Sequence, residues 1–136
     1  MVFNPAHYAS HWPTPEAAYA LAPSILREIG WTADQALTYV RTDFHRRVAD
    51  REFWLRKAAL LDRIAVTDEK AGIYADAIDV AVNAARRLLS IDREQGLGPS
   101  GFGDGPYVPE HPDSIAEPRG YVRQEYAIWA KNPNNH

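Results

Sequence analysis

Cysteine is absent from this chain of 136 residues. Its absence excludes disulfide frameworks, thiol nucleophiles and cysteine-ligated zinc or iron–sulfur centres together, so packing alone must hold the fold. Also missing is any uninterrupted apolar run approaching the ~18 residues a membrane helix needs, and no membrane partner is expected. Residues 1–7 lack a basic segment leading into an apolar stretch, which predicts no secretory signal and a cytoplasmic location. Lysine is scarce, three residues against twelve arginines, and alanine is abundant. That bias points to a GC-rich bacterial genome. The formal charge of −3 gives no overall basic field to attract nucleic acid or anionic lipid.

Alternation of period two over strand length is absent as well. What is present has helical spacing, and an all-α bundle of four to five helices in one domain, 1–136, is the economical fold. An aromatic N-terminal arm, 1–13, holds Phe3, His7, Tyr8, His11 and Trp12 between Pro5 and Pro13, and is expected to pack on the body. Thr14, Pro15 and Glu16 then read as N-cap, first helical residue and first-turn acid. Pro23 is expected to kink or split that helix, and Gly30 to end its second half.

Thr32-Ala33-Asp34-Gln35 has the form of a capping box. Leu37, Val40, Phe44 and Val48 follow on one face, and the stripe lapses at Arg51 and Glu52 before resuming through Leu55, Ala58, Leu61 and Ala65. Two helices joined at Asp50 are predicted. Thr67, Asp68 and Glu69 would start the next helix, with Ala71, Tyr74, Ile78, Ala81, Ala85 and Leu88 on its apolar face and Gly96 as its stop. Residues 96–118 contain five glycines and five prolines and read as a long loop, and 119–131 form a last amphipathic helix.

Chemical motifs lack their required settings. Gly96-Leu97-Gly98-Pro99-Ser100-Gly101 matches the glycine string of dinucleotide sites but follows a helix instead of a strand. His7 and His11 have the spacing of two zinc ligands, and Asp43, His45 and the run Glu110-His111-Pro112-Asp113 hold further donors. The glutamate of the HExxH motif is missing, so no metal and no cofactor are expected. No catalytic residues are assigned. Glu110, Asp113 and Glu117 read as solvated acids, and an enzyme with 96–118 as a lid is the third reading.

Ser24-Ile25-Leu26-Arg27-Glu28-Ile29, then Gly30-Trp31, then Thr32 through Arg41 resembles a helix-turn-helix with Ala36, Leu37 and Val40 turned inward. The resemblance implies DNA as an alternative partner over residues 24–47. Ala33, Gln35, Thr38, Tyr39 and Thr42 would be offered to bases, and Arg41, Arg46 and Arg47 to phosphates, with Arg51 a further basic residue left unneutralised by spacing. Asp43 with Arg47 and Glu52 with Arg56 are spaced as helical ion pairs. The leading reading is a non-enzymatic interaction module, an adaptor or regulator that contacts another protein or a second copy of itself. Its candidate contacts are the excess aromatics Phe53, Trp54, Tyr121, Tyr126 and Trp129, since aromatic residues and arginine are enriched at interfaces.

Overall fold

A computed structural model describes residues 12–41, 46–74, 76–95 and 107–135, with the side chains of 39–41, 46–50 and 135 outside the description. The first helix starts as the sequence predicts. Thr14 Oγ1 accepts the Ala17 amide at 3.2 Å, Pro15 takes the first helical position and Glu16 lies in the first turn. This helix, α1 (Pro15–Ala18), is a single turn, so Pro23 does not kink it. Pro23 instead precedes Ser24, whose Oγ accepts the Arg27 amide at 3.2 Å and starts α2 (Ile25–Arg41).

Two expectations fail in α2. The helix passes through Gly30, and Thr32 lies in its middle instead of capping a new start. The start is already satisfied at Ser24, and an interior glycine costs only about 1 kcal/mol relative to alanine, too little to break a helix anchored elsewhere. The predicted junction at Asp50 is likewise absent, because α3 (Arg46–Lys70) runs for 25 residues through it. Residues 42–45 lie outside the described residues.

The end of α3 is a Schellman motif. Gly72 adopts φ 77°, its amide donates to the Glu69 carbonyl at 3.0 Å, and the Ile73 amide reaches the Asp68 carbonyl at 2.8 Å. Thr67, Asp68 and Glu69 therefore close α3 and do not open the next helix. α4 (Asp76–Glu94) begins with Asp76 and Asp79, acids placed at the positive helix end. Ala71 and Tyr74 consequently fall in the connection, exposed.

Residues 96–106, including the glycine string, lie outside the described residues. The remainder of the expected loop is partly helical. Pro112 and Pro118 each occupy the start of a helix, where a missing amide costs nothing, giving α5 (Pro112–Ala116) and α6 (Pro118–Lys131). A 3-10 turn spans Pro133–Asn135. The described residues are thus all-helical, and two of the six α-helices are single turns, beyond the four or five expected.

α3 packs along α4, α6 lies against both, α2 lies on α3, and α1 touches α6. The core shared by α3 and α4 is rich in small residues: Ala58 and Ala59 from α3 and Ala84 and Ala85 from α4 are buried in one cluster with Leu55, Leu88 and Leu89. Tyr121, Val122 and Tyr126 seal the core from α6. Trp12, the described aromatic of the N-terminal arm, is buried on Gly120, where an added Cβ would lie 2.5 Å from the indole ring. Glycine is required there by close approach.

Candidate interaction surface

α2 is held to the body by polar contacts. Glu28 is buried and receives both Nε and Nη2 of Arg56, at 3.0 and 2.7 Å. The same guanidinium stacks on Trp31 at 3.4 Å from the ring centroid and also meets Glu52 at 3.5 Å, the predicted i, i+4 pair. Bidentate pairing and stacking together fix the rotation of α2 about its axis. Glu28, Trp31, Thr32 and Gln35 form its inner side.

Leu26, Ile29 and Leu37 of α2 consequently point outward. Leu26 is 79% exposed, Leu37 53% and Ile29 45%, and Ala33 and Ala36 are exposed beside them. At ~100° per residue, Leu26, Ile29, Ala33 and Leu37 lie within about 80° of one another, one exposed stripe along the helix. The inward placement of Ala36 and Leu37 required by the helix-turn-helix reading is therefore reversed, and its turn at Gly30-Trp31 does not exist because α2 is continuous. The stripe was within reach of the sequence, since 26, 29, 33 and 37 have helical spacing. A helix ending at Gly30 would divide it; the continuous α2 does not.

A second surface lies between α3 and α4. Trp54, Lys57, Leu61, Val80, Asn83, Ala84 and Arg87 line an open groove of about 250 Å³. Phe53 and Trp54 are half-buried and meet edge to face, with ring centroids 5.5 Å apart. The Lys57 amine stands 4.7 Å and the Arg87 guanidinium 5.7 Å from the Trp54 ring. Both expected aromatics on α3 thus border accessible surface under a cationic rim.

The other expected contacts belong to the interior. Tyr121 and Tyr126 are core residues, and Trp129 is half-buried between Tyr126 at 5.4 Å and the Arg56 guanidinium at 5.5 Å. Amphipathic spacing identified their face correctly, but that face meets α3 and α4 instead of a partner. Arg51 is also unavailable to a phosphate. Its Nε and Nη2 donate to Asp92 at 2.8 and 3.0 Å, and Nη2 also donates to Glu125 at 2.7 Å. Tyr121 Oη adds a bond to Asp92 at 2.5 Å, and Gln124 Nε2 one to Glu125 at 3.0 Å.

Burial raises the Glu125 carboxyl to about 7 against the pull of Gln124 and Arg51, with Asp92 pushing it further up. The Tyr121 hydroxyl is held far above its ordinary value, first by burial and then by the two carboxylates. A second cluster centres on Asp62, also buried, which accepts from Arg119 at 2.6 Å, Arg123 at 2.8 and 3.0 Å, and Tyr19 at 2.5 Å. Burial opposes the Arg119 charge, yet bonds to Glu69 and Asp62 raise its pKa. These carboxylates are buried and hydrogen-bonded, so they join helices distant in sequence.

Of the alternative nucleic-acid residues, Gln35 is half-buried and Thr38 is exposed with its hydroxyl donating to the Asp34 carbonyl at 3.1 Å. Thr42 and the side chains of Tyr39, Arg41, Arg46 and Arg47 lie outside the described residues, as do His7, His11, Asp43 and His45. His111 caps α5, its Nδ1 accepting the Asp113 amide at 3.0 Å. Among the described residues no three His, Cys, Asp or Glu side chains are grouped to hold a metal ion, and no helix is long and apolar enough to cross a membrane. Compared with protein-family models, curated proteins and solved structures, the chain matches none.

Proposed function

We propose that this chain is a non-enzymatic interaction module, an adaptor or regulator, whose contact element is α2. The observation that carries the reading is the outward apolar stripe, with Leu26 79% and Leu37 53% exposed on a helix whose inner side is anchored through Glu28 and Arg56. Isolated exposed leucines are ordinary; a line of apolar side chains on a helix facing away from its own core is the pattern of a helix that meets another surface. Full burial of an exposed leucine or isoleucine contributes roughly 1.5–3 kcal/mol, so covering what is exposed of Leu26, Ile29 and Leu37 contributes roughly 3–5 kcal/mol toward a contact that the rest of the interface must complete.

The test is capture of binding partners from a lysate of the native host with the tagged full chain, compared with the double substitution Leu26→Asp/Leu37→Asp. Both positions are exposed, so the double variant is expected to keep its helical content and melting temperature while losing the captured species. Equal capture by both proteins would remove α2 as the contact element.

A further inference from the structure

Resting on the reading of α2 as a contact element, we infer that the occupant of its stripe is a second copy of this chain, with the two α2 helices lying antiparallel. Leu26, Gly30, Ala33 and Leu37 are separated by four, three and four residues, a series that reads the same in either direction. A two-fold axis crossing α2 between residues 31 and 32 therefore sets Leu26 against the partner's Leu37, and Gly30 against the partner's Ala33, and repeats both contacts by symmetry. Isologous pairing of this kind is the commonest way for identical chains to associate.

Gly30 supplies a second, independent observation. Glycine weakens a helix interior relative to alanine, and nothing among the described residues requires it here, because a Cβ added at Gly30 would meet none of their atoms within 4 Å and its φ is not positive. Gly30 and Ala33 lie at the centre of the symmetric series, where two helices must approach most closely. The larger Leu26 and Leu37 lie at its ends, where crossing helices diverge and leave room.

Charge on the flank fits the same geometry. Arg27 and Asp34 are exposed, seven residues apart and so within about 20° of the same side of α2. Among the described residues neither forms a salt bridge within its own chain. In an antiparallel two-fold pair, like flanks meet with their directions reversed, which brings Arg27 near the partner's Asp34. The offset is two residues, about 3 Å along the axis and within the reach of an arginine. In a parallel two-fold pair the two like flanks lie on opposite sides of the interface, so Arg27 and the partner's Asp34 would not meet.

Sedimentation velocity on the full chain over a concentration series tests this. Wild-type protein is expected to pass from monomer to dimer as concentration rises. Arg27→Glu and Asp34→Arg should each raise the dissociation constant about tenfold, since each reversal sets two like-charge contacts per dimer, and the double variant R27E/D34R should recover wild-type association. Gly30→Leu is expected to raise the melting temperature of the monomer and to weaken association, opposite effects that a purely structural role for Gly30 would not produce. A wild-type monomer at all concentrations, or a dimer indifferent to both charge reversals, would overturn the inference. If a monomeric wild type still captures a partner that Leu26→Asp/Leu37→Asp loses, the self-pairing falls and the interaction module stands; if capture is also unaffected, both fall.

Discussion

Replacing Glu125 with glutamine should change how the stability of this protein depends on pH. Glu125 is fully buried, and its carboxyl is raised from an ordinary 4.5 to about 7, chiefly by burial. A carboxyl with a raised folded pKa binds its proton in the native state at pH values where the unfolded chain has released it. Its stabilising contribution is therefore complete below about 4.5 and is lost as pH rises toward 7. A shift of some 2.5 units corresponds to roughly 3 kcal/mol at most, at 1.36 kcal/mol per unit. Glutamine stays neutral throughout. The difference in unfolding free energy between wild type and Glu125→Gln, followed by urea denaturation from pH 4.5 to 8, is expected to move by about 3 kcal/mol in favour of the variant and then level off above pH 7. Carboxylates common to both proteins cancel in that difference. A difference that stays flat across the window would refute the account, because it would mean that Arg51 and Gln124 offset burial fully.

Gly120→Ala should be costly for a residue so small, because its Cβ would fall 2.5 Å from the Trp12 ring; a loss of about 1–3 kcal/mol and a red-shifted indole emission are expected, and an unchanged melting curve would show that Trp12 does not pack there. Arg56→Ala removes the bidentate partner of buried Glu28 and the stacking on Trp31, a loss of about 3 kcal/mol that should fall on the attachment of α2. Amide exchange should quicken over 25–41 while 55–65 keep their protection, and uniform quickening over both segments would contradict that localisation.

The helical class was legible because period 3.6 is present and period two is absent. Local signals worked where a strand of chain decides its own geometry, as at Thr14 with Pro15. They misled where tertiary contacts decide. Thr32 to Gln35 has the letters of a capping box, but the start is supplied eight residues earlier at Ser24, and the anchoring of Glu28 carries the helix across Gly30. The apparent boundary at Arg51 and Glu52 came from reading charge as exposure. Arg51 occupies the inner side of α3, where its partners Asp92 and Glu125 are brought from 41 and 74 residues away. No spacing rule connects such positions, so the buried clusters, and the inward destination of Tyr121 with them, become visible only when the helices are assembled.

The same separation explains why the leucines of α2 face solvent. An amphipathic helix on a small domain ordinarily turns its apolar side to the core. Rotating α2 by about 140° would do so here, gaining a few kcal/mol for side chains that are already partly covered. It would also withdraw Glu28 from Arg56 and leave a guanidinium on α3 that is 14% exposed without its buried partner, a loss of roughly 3–5 kcal/mol. The polar anchor therefore matches or exceeds the apolar gain, and the outward stripe is a consequence of the ion pair. This couples the two features: neutralising Glu28 as Gln lowers the cost of rotation, so the variant should both loosen α2 and reduce exposure of the stripe, read as slower labelling of a cysteine placed at Leu37 in an otherwise cysteine-free chain. Faster labelling, with α2 simply detached, would show instead that the core offers the leucines no competing site.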